Sequence, residues 1–160
     1  MIDSAANPRR SRHKVEDNLR QIVKLLEKQR LVEAMVDRDR ASPRHELIES
    51  LVHRQHLVEL QLKLRSLHPA DIAYILEALP PNDRLLVWRQ IEDECGGEVL
   101  LEMSDGVRES LIESLIGPAL VRVLGQLDVD DLAELAEAVP AGVLAEVSQT
   151  LPARDRDWLQ

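Results

Sequence analysis

From residue 67 onward, an apolar residue recurs at every twelfth position of the chain. These positions are Leu67, Leu79, Ile91, Met103, Leu115, Leu127, Val139 and Leu151. A second apolar residue stands eight positions after each of them: Ile75, Val87, Val99, Leu111, Val123, Leu135, Val147 and Leu159. The repeat predicts units that each hold one helix of about two to three turns and one tight turn. Units of alternating direction would pair into helical hairpins.

The prolines support the same repeat, although they play no part in defining it. Six of them stand one to three positions after a repeat residue, where a helix can start: Pro69, Pro80, Pro81, Pro118, Pro140 and Pro152. We therefore predict no β-strand and about eight short helices after residue 66. Breaks should fall within two residues of Pro69, Pro80, Asp93, Asp105, Pro118, Asp128, Pro140 and Pro152. Helices this short need neighbours, so we expect an all-α superhelical stack (α-solenoid) of short antiparallel helices.

The residues before the repeat predict an additional N-terminal amphipathic helix over residues 14–37. Its apolar stripe consists of Val15, Leu19, Ile22, Val23, Leu26 and Val36. We expect residues 1–12 to be disordered and Arg38–Ala41 to be a linker. The helix would then pack loosely or mediate self-association.

Ser42 and Pro43 form a helix start, and they place the predicted domain boundary between an extension over 1–42 and a helical domain over 43–160. Helical spacing continues through Leu47, Leu51, Val58 and Leu62. The repeat projected backwards puts a turn near Gln55, which favours two short helices over one long helix in residues 43–66.

Composition and charge exclude several classes of function. The chain has a single cysteine and no apolar run long enough to span a bilayer, so we expect a cytosolic protein. Residues 1–66 hold 14 Lys and Arg against 10 Asp and Glu, whereas residues 67–160 hold 6 against 19. No basic residue lies between Arg122 and Arg154, but six acids do: Asp128, Asp130, Asp131, Glu134, Glu137 and Glu146. This stretch would repel nucleic acid and attract cations or basic partners.

No enzyme motif is present, so we expect no catalytic activity, no catalytic residues and no cofactor-binding residues. His53 and His56, with His45 and Glu49 upstream, could suggest a zinc site, but polar positions on a solvated helix face explain them better. Cys95 precedes Gly96 and Gly97 at a predicted turn and lacks a histidine general base, so we do not expect it to be a nucleophile.

The acids fall into two groups. Asp71, Asp83, Asp131 and Asp155 share the fourth position after a repeat residue, close to the third position of each helix. A carboxylate there complements the helix dipole, so structure explains these four. Asp130 and Glu134 lie four apart on one face with no basic residue near them in sequence. Two interpretations of this pair stay open: a cation-binding site, or an ordinary solvated acidic face.

The segment Leu67–Ala73, Leu-His-Pro-Ala-Asp-Ile-Ala, followed by Glu77-Ala78-Leu79-Pro80, resembles the cytosolic N-terminal domain of MgtE-type magnesium transporters. The likeness covers about residues 44–160. In that family the domain precedes a pair of CBS domains and a dimeric transmembrane pore, and it helps close the pore when cytosolic magnesium is plentiful. The resemblance implies a regulatory domain on the cytoplasmic side of the plasma membrane, in a protein that is a homodimer at full length. The 160 residues hold no CBS pair and no membrane segment, so we expect a fragment that ends with the solenoid.

By position, the resemblance implies Glu98, Asp130 and Glu134 as magnesium ligands. Glu98 has the Glu-Val-Leu context and Asp130 the Asp-Asp-Leu-Ala context, and Glu134 follows one turn later. Mg²⁺ would bind weakly, at the interface with the CBS pair. The alternative is a metal-independent interaction scaffold that resembles the helical domains of flagellar motor-switch proteins.

Overall fold

The computed structural model describes the backbone of residues 8–38 and 43–156, and within these ranges the side chains except those of residues 8–11, 36–38, 43, 45, 46 and 49. The described residues form ten α-helices and no β-strand. The helices are α1 (Pro8–Arg38), α2 (Pro43–Arg65), α3 (Pro69–Ala78), α4 (Pro81–Trp88), α5 (Asp93–Glu102), α6 (Asp105–Ser114), α7 (Gly117–Leu124), α8 (Val129–Leu135), α9 (Ala141–Thr150) and α10 (Ala153–Arg156). The predicted all-α fold is confirmed, and α3 to α10 begin at intervals of twelve residues.

Packing divides the chain into two units, residues 1–67 with α1 and α2, and residues 68–160 with α3 to α10. Helix α2 therefore belongs with α1 by its packing, although our sequence-based boundary at residues 42 and 43 groups it with the repeat. None of the helices in the described ranges has the length and apolarity that a bilayer crossing requires.

In the first unit, α1 and α2 pack against each other, and only four residues separate them, so they form an antiparallel hairpin. Helix α1 starts at Pro8, so the disorder expected for residues 1–12 is wrong for residues 8–12. Residues 1–7 and the linker residues 39–41 lie outside the described part. The expected turn near Gln55 is also wrong, because α2 is continuous. No glycine or proline interrupts residues 44–65, and α1 supports a long helix beside it.

The buried face of α2 is not the face that carries Leu47, Leu51, Val58 and Leu62. Leu60 and Leu64 are buried, as are Ile22 and Leu26 of α1. By contrast, the residues with regular helical spacing are half or more exposed: Leu47 64%, Leu51 56%, Val58 50% and Leu62 59%. The hairpin thus leaves an apolar stripe uncovered.

In the second unit, the odd-numbered helices stack in a row, α3 on α5, α5 on α7, and α7 on α9. The second set of repeat residues fills the core of this stack. Its described members are all 0–5% exposed: Ile75, Val87, Val99, Leu111, Val123, Leu135 and Val147. Leu159 lies outside the described residues. The repeat therefore marks the buried face of each short helix.

In three helical hairpins of this unit, an arginine of the second helix forms hydrogen bonds to the end of the first helix. Arg84, Arg108 and Arg156 each occupy the fourth position of their helix and donate hydrogen bonds to carbonyls at the end of the preceding helix. Arg108 makes the most of these bonds, to the carbonyl oxygens of Leu100 (2.7 Å), Leu101 (3.0 Å) and Met103 (2.8 Å). A guanidinium at a helix C-terminus satisfies free carbonyls and complements the helix dipole.

Candidate functional site

The three predicted magnesium ligands lie on two helices that contact each other. Glu98 is on α5, and Asp130 and Glu134 are one turn apart on α8. All three side chains are exposed. None forms an ion pair with another residue that the structure describes. Their charges are therefore available to a ligand from outside the domain.

Two acids next to the predicted ligands, Asp128 and Asp131, have structural roles at the start of α8. Asp128 is the N-cap, and its Oδ1 accepts a hydrogen bond from the backbone N–H of Asp131 at 3.0 Å. Asp131 is the third residue of α8, and three further aspartates hold the same position in their own helices: Asp71, Asp83 and Asp155. The predicted helix-start position of these four aspartates is confirmed.

The acids at the start of α8 are close enough for their negative charges to repel one another. The pKa of Asp131 is raised above its ordinary value of 3.8 by burial first, and then by the charges of Asp128, Glu134 and Asp130. A raised pKa means that the surroundings disfavour the ionised form. Asp130 and Glu134 are thus part of a cluster of like charges, and a bound cation would relieve their repulsion.

A cleft with a volume of about 170 Å³ lies beside this cluster. Glu134 and Glu137 line it from one side, and Asp105, Arg108 and Glu109 of α6 line it from another. Sequence analysis missed Arg108, because it is far from α8 along the chain. The Arg108 side chain is only 11% exposed, and its guanidinium donates hydrogen bonds to the carbonyls at the end of α5. Arginine at the fourth position of three of the four even-numbered helices of the second unit, α4, α6 and α10, was the signal that could have identified it.

Two glycines set how closely α5 approaches the segment before α8. Gly96 and Gly97 are buried inside α5, so the predicted turn at Cys95–Gly97 is wrong. A Cβ on Gly97 would lie 2.6 Å from both Cγ and Cδ2 of Leu127, and one on Gly96 would lie 3.0 Å from Cγ1 of Val123. Glycine at these two positions permits close packing of α5 against Val123 and Leu127, and α5 also contacts α8.

Besides burial, the charge of Glu98 affects the pKa of the Cys95 thiol, which lies next to these glycines in the sequence. Burial, Glu98 and Glu92 together raise the pKa of Cys95, in that order of importance. The thiol therefore stays protonated at neutral pH, and the nucleophilic thiolate is disfavoured.

The described side chains contain no group of three or more His, Cys, Asp or Glu that could together hold a metal ion. Glu98, Asp130 and Glu134 therefore do not form a closed site, and their role as ligands stays a prediction. His53 and His56 are half-buried on α2, so the prediction that they lie on a solvated helix face is wrong. The side chains of His45 and Glu49 lie outside the described residues.

Comparisons with known proteins identify the second unit. A search of solved structures matches the crystal structure of the cytosolic domain of the Mg²⁺ channel MgtE in complex with ATP, at 26% sequence identity and a TM-score of 0.49. The match covers 61% of this chain and 40% of that one, so the chain spans well under half of its structural relative. No curated protein matches the sequence. Residues 67–160 match the family described as the MgtE intracellular N domain, and the chain therefore belongs to that family.

Proposed function

We propose that the chain is the magnesium-sensing intracellular domain of a magnesium transporter, and that its acidic face docks on the CBS domains of the same protein through bound Mg²⁺. In the full-length transporter, which we take to be a homodimer, docking would help close the transmembrane pore. The domain would work on the cytoplasmic side of the plasma membrane.

The observation that carries the proposal is the exposed pair Asp130 and Glu134 within a cluster of like charges. Helix capping accounts for Asp128 and Asp131 but leaves this pair without a structural partner. Carboxylates at this spacing destabilise a helix by roughly 0.2–0.5 kcal/mol when they carry the same charge. Both carboxylates also lie close enough to Asp131 for their charges, after burial, to help raise the pKa of that residue.

The chemistry of Mg²⁺ fits an open acidic face. The ion keeps several of its waters and is usually bound by one or two carboxylates of a protein, so it does not need a closed cage. With Mg²⁺ present, Asp130 and Glu134 and acids of the CBS pair could share the ion. Without it, like charges on the two surfaces repel, and the equilibrium shifts to the undocked state.

Glu98 would contribute from α5, because α5 and α8 are in contact. The exposed side chain has no ion-pair partner among the described residues, and its charge already acts on the thiol of Cys95. Since ligands from both partners are needed, the isolated chain should bind Mg²⁺ only weakly. Cys95 offers a built-in reporter, because an ion beside Glu98 would lower the pKa of that thiol.

The test is ion flux through the full-length transporter, measured against cytosolic Mg²⁺. Replacing Asp130 with Asn and Glu134 with Gln keeps the shape and removes two charges. We expect the variant to remain active at Mg²⁺ concentrations that close the parent. Glu113→Gln with Glu146→Gln is the matched control, because both side chains are exposed and the net charge changes equally. Inhibition curves that coincide for the parent and the Asp130 and Glu134 variant would instead favour the metal-independent interaction scaffold.

A further inference from the structure

The exposed stripe of α2 lies in a straight line along the helix. At about 100° per residue, Leu47, Leu51, Val58 and Leu62 fall within an arc of roughly 60°. Leu60 and Leu64, which are buried, lie on roughly the opposite side. From Leu47 to Leu62 the stripe is about 22 Å long, at 1.5 Å for each of the 15 steps along the helix. It is therefore a continuous apolar surface one helix wide.

Exposed apolar residues are concentrated in this hairpin. Of the nine large hydrophobic residues that are exposed in the described part of the chain, seven lie on α1 and α2: Leu31, Met35, Leu47, Ile48, Leu51, Val58 and Leu62. Isolated exposed residues are ordinary, but a contiguous patch indicates an interaction surface. The four stripe residues alone present on the order of 400 Å² per copy, which suits a weak interface rather than a permanent one.

The spacing of the stripe indicates what covers it. Its four residues are separated by four, seven and four positions, and this order is the same when the helix is read in reverse. If a second α2 packs antiparallel about a point between Arg54 and Gln55, Leu47 meets Leu62 of the second copy and Leu51 meets its Val58. Every stripe residue then meets another apolar residue, as a two-fold symmetric interface requires.

The charge of α2 also favours a second copy over a charged partner. The helix carries four basic residues against three acidic ones: Arg44, Arg54, Lys63 and Arg65 against Glu46, Glu49 and Glu59. A near-neutral helix does not select an acidic protein, and a membrane surface would call for a clear excess of basic residues. Self-pairing meets little net repulsion along this helix.

We propose that two copies of this chain associate through α2, and that the two hairpins form an antiparallel four-helix bundle. The surface is independent of the magnesium proposal, because none of its residues lies on α5 or α8. Antiparallel bundles of two helical hairpins bury such stripes between them.

Sedimentation velocity of the 160-residue chain over a range of concentrations tests the association. We expect a dimer whose fraction rises with concentration, and a dissociation constant raised at least ten-fold by Leu51→Glu or Val58→Glu. Both side chains are exposed, so the single chain should still fold, which circular dichroism can verify. Ile116→Glu is the control, since Ile116 is 76% exposed but lies outside the stripe. A chain that stays monomeric, or a dimer that Leu51→Glu leaves intact, would overturn the proposal. If the chain is monomeric and binds anionic vesicles, and Leu51→Glu abolishes that binding, the stripe is a membrane-binding surface instead.

Oxidative crosslinking tests the direction of the pairing, in a background where Cys95 is replaced by Ser. An antiparallel pair brings position 51 of one copy to position 58 of the other. Leu51→Cys mixed with Val58→Cys should therefore form a disulfide. Either variant alone should not, because its two cysteines would be about 10 Å apart along the axis. Efficient crosslinking of each variant with itself would indicate parallel helices and contradict the proposed geometry.

Discussion

Replacing Arg108 with Met should destabilise the second unit more than any other arginine substitution that we consider. The variant keeps most of the apolar stem but loses the charged group that bonds to three carbonyls at the end of α5. The distances are 2.7 Å to Leu100, 3.0 Å to Leu101 and 2.8 Å to Met103. The side chain is 11% exposed, so water can replace these bonds only in part.

The size of the effect follows from the number and type of bonds. A hydrogen bond to a charged group contributes about 1.5–3 kcal/mol, and bonds that share one donor group are not additive. We therefore expect Arg108→Met to lower the free energy of unfolding by about 3 kcal/mol. For a unit of this size, the melting temperature should fall by roughly 12–24 °C.

Arg156→Met is the matched comparison, because Arg156 has the same position in its own helix. It is exposed and makes longer bonds, 3.1 Å to Leu151 and 3.3 Å to Gln149, so its loss should cost less than about 0.5 kcal/mol. Thermal unfolding followed by circular dichroism measures both. If the two substitutions lower the melting temperature equally, or if Arg108→Met leaves it unchanged, the bonds to the α5 carbonyls do not stabilise the hairpin as argued.

Three further predictions concern the candidate site. Gly97→Ala should destabilise the fold by about 1–2 kcal/mol in urea unfolding, because the clash exceeds the gain in helix propensity, whereas Gly106→Ala, which meets open space, should not. Glu98→Gln should lower the pKa of Cys95 and speed its alkylation at a fixed pH, and an unchanged rate would contradict their coupling. The helix dipole favours the ionised form of Asp131, whereas burial and the neighbouring acids act against it and raise its pKa. Because the pKa is raised, stability is lost as pH rises from 3.8 to the raised value, so Asp131→Asn should flatten the pH dependence of stability in that window.

The sequence alone determined where the short helices begin. Proline at Pro69 and Pro81 and the N-cap residues His68 and Asp128 act within a single turn, so their effect can be read locally. The family-matched acids were also visible in the sequence, because Asp130 and Glu134 are one helical turn apart. The twelve-residue repeat and the helix-start residues determine which helices form, because both act through backbone geometry and nearby side chains.

Only the tertiary structure decided which surfaces those elements cover. The spacing of Leu47, Leu51, Val58 and Leu62 indicated a helix over these residues, but periodicity does not say which face of that helix meets a neighbour. Gly97 read as a turn residue because its reason for being glycine, the approach of Leu127, lies thirty residues away in the chain. Arg108 and Glu134 line the same cleft, and α5 contacts α8, although in each case the two partners are distant in the sequence. Contacts between residues distant in sequence depend on how the helices stack, and no local pattern encodes them.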